Sequence, residues 1–225
     1  MIWLGFYFGY MAVRSLADRD PTKAFLNGMR VIDFEQRISS HLFEQTAQRI
    51  ADSSHFLLTL AAWTYWNSEF TVISIAFLWV YLRRHEQFKR FRNALLLTNM
   101  IGLIGYLVMP TAPPWMFPAL FVDGVNHTRN VLGIFGNPYA AMPSLHAADA
   151  LVVGVALFLA CRRRYFKVLW ALWPAWVWFC VLATANHFWL DVVAGIAVAA
   201  VALVLVRQVP LLGGRRRTEP IANLL

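Results

Sequence analysis

Charge is scarce in this chain of 225 residues: only 14% of positions are Asp, Glu, Lys or Arg. Soluble domains carry about 25%, so a water-covered surface around the whole molecule is excluded. Cysteine is nearly missing as well. Cys161 and Cys180 show no pairing or metal-ligand spacing. A disulfide framework and a cysteine zinc site are thereby excluded, and both read as core thiols. There is no internal repeat and no low-complexity segment. The apolar start, Ile2 to Val13, lacks a basic n-region and a small-residue cleavage site, so a removable signal peptide is not expected. Acidic residues are outnumbered, 12 against 20 basic, for a net charge of +8. The cations stand in short runs beside apolar stretches, as at the cytoplasmic face of a membrane. No nucleic-acid partner is expected.

What is abundant is hydrocarbon: 59% of residues are hydrophobic and the mean hydropathy is +0.52. Ile2–Val13, short against the roughly 20 residues of a span, reads as a first membrane helix. His55–Leu82, Ala94–Met109, Leu145–Ala160, Val168–Ala185 and Phe188–Val206 follow. The expected fold is an all-α polytopic membrane helix bundle of six transmembrane helices. Between the first two spans, Asp18 to Ser54 repeats Val31, Phe34, Ile38, Leu42 and Ile50 at helical spacing among charges of both signs. That pattern predicts an amphipathic helix, lying in the interface or packed outside the bundle, with no catalytic part. Residues 1–212 are expected to form one membrane-embedded domain. Its first part, 1–54, holds the first helix and the amphipathic segment, and 55–212 holds the catalytic bundle. Residues 213–225 read as a loose cytoplasmic tail.

Three basic clusters follow alternate spans: Arg83 to Arg92, Arg162 to Lys167, and Arg207 with Arg215 to Arg217. They share one face, cytoplasmic by the positive-inside rule. The starts of the fourth and sixth spans then lie at the extracytoplasmic face, of a bacterial plasma membrane by expectation. The connection Pro110–Pro143 lies there too, and its Trp115, Met116, Phe117, Leu120 and Phe121 are expected to dip into the interface as an aromatic belt.

Two short polar signatures open those two spans: Met142-Pro143-Ser144-Leu145-His146 and Asn186-His187-Phe188-Trp189-Leu190-Asp191. Ionisable groups that deep are costly, so they are functional candidates by default. His187 and Asp191 are four apart and share a helical face. A carboxylate accepting the Nδ1–H would leave Nε2 as a nucleophile. Gly195, one turn on, would admit a neighbouring helix. Pro143 and Ser144 suit a helix start, whose free N–H groups bind phosphate, and the Ser144 hydroxyl adds a donor. His146 is placed to protonate a leaving oxygen. The expected reaction has two displacements through a phosphohistidine at His187, with His146 first acid and then base. Fixed donors hold the phosphate charge, so neither metal nor cofactor is expected. Asp149 would either orient His146 or pair with an arginine. Glu69 and Asn67 read first as interface polarity near the outer end of the second span, and second as cavity lining. Asn186 is a further candidate for substrate contact. Tyr106 either packs in the bundle or touches substrate.

The two signatures resemble the second and third signatures of the type 2 phosphatidic acid phosphatase superfamily. The branch that fits is the one related to inositol-phosphorylceramide synthase. Its hallmarks are matched by Tyr106-Leu107-Val108-Met109-Pro110-Thr111-Ala112-Pro113-Pro114-Trp115, by Ala141 to His146, and by Ala183-Thr184-Ala185-Asn186-His187 with Asp191. The resemblance runs from about Glu35 to Gly195. It implies a six-helix membrane enzyme with His187 as nucleophile, Asp191 as its partner and His146 as general acid. Phosphatase members carry a lysine and an arginine-proline pair where this chain has Tyr106 and Pro113-Pro114. They have a glycine at Leu145 and a serine-arginine pair at Cys180-Val181. Three cationic phosphate contacts are thus missing; Arg129 and His127, the only basic residues of the outer loop before Ser144, are nominated in their place, with Arg129 read first as a plain surface residue.

The expected function is transfer of a phosphorylated headgroup, of phosphoinositol type, from a membrane lipid phosphate to a lipid alcohol. Hydrolysis with water as acceptor is the close alternative. A non-catalytic lipid carrier or scramblase is the alternative from another class.

Overall fold

The computed structural model describes residues 20–125 and 139–208. The chain is an all-α helical bundle, and the protein is a membrane protein with several apolar helices. The elements are α1 (Pro21–Ile38), α2 (Phe43–Asp52), α3 (His55–Asn67), a π-helical turn (Ser68–Val72), α4 (Ile73–Arg83), α5 (His85–Val108), a 3₁₀ turn (Pro114–Met116), α6 (Leu145–Ala160), α7 (Arg164–Ala183) and α8 (Trp189–Gln208).

Among the described residues three helices, α5, α7 and α8, are long and apolar enough to cross a membrane, and α6 is a shorter apolar helix. The backbone stays helical through Ser68 and Val72, so α3 and α4 continue one another across the π turn. The expected count of six spans is not reached among the described residues. The first expected helix, Ile2–Val13, and the tail 213–225 lie outside them.

Local signals set the ends. Pro21 opens α1 behind Asp20, whose side chain accepts the Lys23 N–H at 2.9 Å. Ser144 caps α6 through Ala147 N–H at 3.2 Å. Arg84 Nε donates to Ala160 O at 2.9 Å, and Arg83, Arg84, Arg163 and Trp79 line one cavity. The first two basic clusters therefore share one end of the bundle. The 16 residues of α6 span roughly 24 Å, which puts its first turn at the opposite end.

The segment before α3 departs from its expected pattern. Val31 and Leu42 are buried, but Phe34, Ile38 and Ile50 are exposed. The inward face of α1 holds Asn27, Gly28 and Glu35, and that of α2 holds Glu44 and Gln48. Phe25, Leu26 and Met29 point outward. Lipid covers outward apolar groups at no cost, whereas polar groups need protein partners. The single apolar stripe is thus replaced by an inner face that mixes small and apolar residues with Asn27, Glu35, Glu44 and Gln48, and by an outer face that leaves several large apolar residues exposed.

Candidate active site

The site is built on three converging chain ends. Asn27 Nδ2 donates to Pro110 O at 2.8 Å, and Ala112 N–H donates to Ala24 O at 3.0 Å. α1 thereby holds the loop after α5. Thr111 then pairs with the approach to α6 in one isolated bridge. Its N–H donates to Tyr139 O at 2.9 Å, and its carbonyl accepts Ala141 N–H at 3.3 Å. The next link enters the chemistry: His187 Nδ1 donates to Ala141 O at 2.9 Å.

That last bond decides the state of the ring. A carbonyl can only accept, so the proton sits on Nδ1 and Nε2 keeps its lone pair. Asp191 Oδ2 lies 3.6 Å from the same nitrogen and accepts Phe188 N–H at 2.9 Å. The carbonyl is the nearer orienting group and Asp191 the second. A backbone acceptor has no signature in residue types, so the part of Ala141 shows only in the fold.

The turn that presents His187 is held from both sides. Ala185 adopts φ 57°, a left-handed conformation that disfavours a residue with a Cβ. Its carbonyl accepts Trp115 N–H at 2.9 Å. Asn186 spends its amide inside the turn, donating to Thr184 Oγ1 at 2.7 Å and Thr184 O at 3.4 Å. Only its Oδ1 is left for a substrate. Of the loop residues expected at the interface, Phe121 folds inward here. Phe121 is 2% exposed and its ring centroid lies 6.0 Å from that of Phe188, which also meets Phe117 at 6.5 Å. Phe121 is thus taken up by Phe188, with Phe117 and Trp115 half-buried beside it, while Leu120 stays 39% exposed.

The second histidine lies opposite. The ring centroids of His146 and His187 are 5.6 Å apart. His146 stacks on Tyr65 at 4.5 Å and 18°, and its Nε2 lies 3.4 Å from Glu69 Oε2. Glu69 stands in the π turn, and the wider turn re-aims side chains. Glu69 is therefore a carboxylate partner of His146 and not mere interface polarity. Asn67 bonds Trp63 O and Thr71 within its own helix. Asp149 takes neither expected partner, since Asn99 Nδ2 donates to its two oxygens at 2.9 and 3.0 Å.

Ser144 is fully buried. Its backbone N–H donates to Asp191 O at 3.0 Å while its hydroxyl caps α6, so the two signatures are joined by main chain. Tyr106 is 4% exposed, in the same apolar cluster as Leu145. Arg129 and His127 lie outside the described residues. Gly195 lets α8 approach this close, because a Cβ there would run into the Ser144 carbonyl. Gly195→Ala is expected to destabilise the fold by about 3 kcal/mol through overpacking. Thermal melting of the detergent-solubilised protein checks this.

Comparison with known proteins places the arrangement. A family model described as the PAP2 superfamily matches residues 30–205. The chain is 32% identical over 136 residues to a phosphoinositol dihydroceramide synthase of Bacteroides thetaiotaomicron, covering 52% of this chain and 45% of that protein. It is 26% identical over 117 residues to an inositol phosphorylceramide synthase of Candida albicans, covering 43% and 24%. The match thus spans less than half the length of these curated relatives. The crystal structure of Aquifex aeolicus LpxE superposes with a TM-score of 0.57 at 16% identity, over 73% of this chain and 94% of that one. At that identity the likeness is one of fold.

Proposed function

The chain belongs to the PAP2 superfamily and is homologous to inositol phosphorylceramide and phosphoinositol dihydroceramide synthases; on that footing we propose that it transfers a phosphorylated headgroup from a membrane lipid to a lipid alcohol through a phosphohistidine at His187. The observation that carries the reading is the pair of imidazoles at 5.6 Å, a separation at which both can grip one tetrahedral phosphorus group. Each has its own oriented partner.

Nε2 of His187 attacks phosphorus and the bond to the donor alcohol breaks. His146 gives its proton to the leaving oxygen. The ring of His187 becomes cationic, and Asp191 behind it offsets that charge. His146 next takes the proton of the acceptor hydroxyl, whose oxygen attacks phosphorus as the P–N bond breaks. His187 returns to its neutral form with Nδ1–H still on Ala141. Glu69 steadies the His146 ring in both steps. The first turn of α6 and the Ser144 hydroxyl are the donors assigned to the non-bridging oxygens.

A phosphodiester suits this site better than a phosphate monoester. The ester group leaves the anion one charge lower, and among the described residues no lysine or arginine pairs with Ser144, His146 or His187. The site is assigned to the extracytoplasmic face, because it stands at the bundle end away from Arg83, Arg84 and Arg163.

Radiolabelled phosphatidylinositol supplied to purified protein tests the reading, with and without ceramide. The expected product is an inositol-phosphorylated ceramide, formed only with the acceptor and also in EDTA. Inositol phosphate as the sole product, or free phosphate alone from phosphatidic acid, would replace transfer by hydrolysis.

A further inference from the structure

Two of the carboxylates that cap the first turn of α8 come from outside its own segment. A helix start leaves N–H groups without intrahelical partners, normally met by one nearby hydroxyl or carboxylate. Here the three N–H groups that follow His187 end on three different carboxylates. Phe188 donates to Asp191 Oδ2 at 2.9 Å, Trp189 to Glu44 Oε1 at 2.5 Å, and Leu190 to Glu35 Oε1 at 3.0 Å. Glu35 comes from α1 and Glu44 from α2. Both are fully buried.

We propose that Glu35 and Glu44 are positioning residues for the nucleophile: they tie α1 and α2 to the first turn of α8 and so fix where the His187 imidazole stands. The inference rests on the reading of His187 as nucleophile and adds to it the device that aims the ring.

Two observations set this apart from ordinary capping. The second oxygens, Glu35 Oε2 and Glu44 Oε2, are buried without a hydrogen-bond partner, yet the two carboxyl groups bear directly on each other. Two ionised carboxylates would repel there, whereas one proton shared between them satisfies both oxygens. Burial, with the Glu44 charge next, pushes Glu35 up to about 9, and burial pushes Glu44 up as well. The charged groups acting on the pair are Asp191 from α8 and each carboxyl on the other, with His187 behind Asp191. Among the described residues no lysine or arginine pairs with either. Buried carboxyls are costly where a hydroxyl would cap with less desolvation. What the acids add is reach across elements. Phe43 of α2 also packs edge-on against Trp189, at 6.1 Å and 89°.

The test compares Glu35→Ala, Glu44→Ala and Glu35→Gln in the full-length protein. Two readouts are used: the rate of acid-labile labelling by phosphatidylinositol radiolabelled in its phosphate, and the rate of His187 acylation by diethyl pyrocarbonate. The alanine variants are expected to lose about 100-fold in labelling rate at nearly unchanged KM, with Glu35→Gln within about threefold of wild type. The glutamine keeps the carbonyl cap, and its amide N–H replaces the shared proton. That N–H does not dissociate, so the two proteins part at alkaline pH. The wild-type rate falls as pH passes about 9, when a second charge appears in the pair, and the Glu35→Gln rate does not. Should the alanine variants misfold, this pH comparison still decides. Alanine variants that label at the wild-type rate, or a Glu35→Gln profile with the wild-type alkaline limb, would overturn the proposal. A wild type that never takes label removes the phosphohistidine reading alone, because the acylation arm reports the ring position without turnover.

Discussion

His187→Ala is expected to abolish both transfer and acid-labile labelling, with a loss in kcat of about ten-thousand-fold or more. The size follows from what is removed. The proposed route has no other group whose lone pair meets phosphorus, and direct attack by the acceptor would need a different in-line geometry. KM is expected to change little, since the α6 N-terminus and Ser144, the donors proposed for the phosphate oxygens, are left in place. The fold should survive. The ring is 4% exposed and makes one close hydrogen bond, to Ala141 O, so leaving that carbonyl unpaired costs about 1–3 kcal/mol. Gel filtration and thermal melting check that point alongside the activity assay. The same variant decides between enzyme and carrier. If lipid exchange between vesicles is catalysed by the wild type and persists in His187→Ala, the protein is a carrier and the histidine pair is not a reaction centre.

The residues that could be read from sequence are those whose partners are near in the chain. The bounds of α6 follow from Pro143, Ser144 and the arginines after Cys161, all local signals, and the apolar run Leu145–Ala160 matches the helix end to end. The i,i+4 spacing of His187 and Asp191 puts them on one face in any helix. What was not legible depends on distance or on backbone. Glu35 and Glu44 meet residues about 150 positions later, and an acid on an amphipathic helix reads as solvated. Their one signal was phase, since Glu35 stands one turn from buried Val31 and Glu44 one turn from buried Gln48. Glu69 was hidden because a π turn shifts the register that a helical wheel assumes. Asn186 sits inside a signature, yet its amide closes a turn whose shape is set by Ala185. Phe121 resembled a residue of a membrane belt because nothing in the sequence says that Phe188 will meet it.

His146→Ala separates the two chemical steps. With a lipid donor, the leaving alkoxide needs a proton, and losing the acid is expected to slow turnover about a thousand-fold. With a nitrophenyl phosphodiester the leaving group departs unprotonated, so the first displacement should recover. The second should not, because the acceptor hydroxyl still needs a base. Glu69 does not replace it, since its Oε2 reaches the site through the ring it contacts, 3.4 Å from Nε2. Enzyme therefore collects between the steps. A burst of nitrophenol close to one equivalent is expected, with phosphorus retained on the protein in an acid-labile, alkali-stable bond. Adding imidazole, a diffusible base, should speed release in proportion to its concentration. Equal losses with both donors and no retained phosphorus would show that the His146 ring holds the site together without carrying a proton.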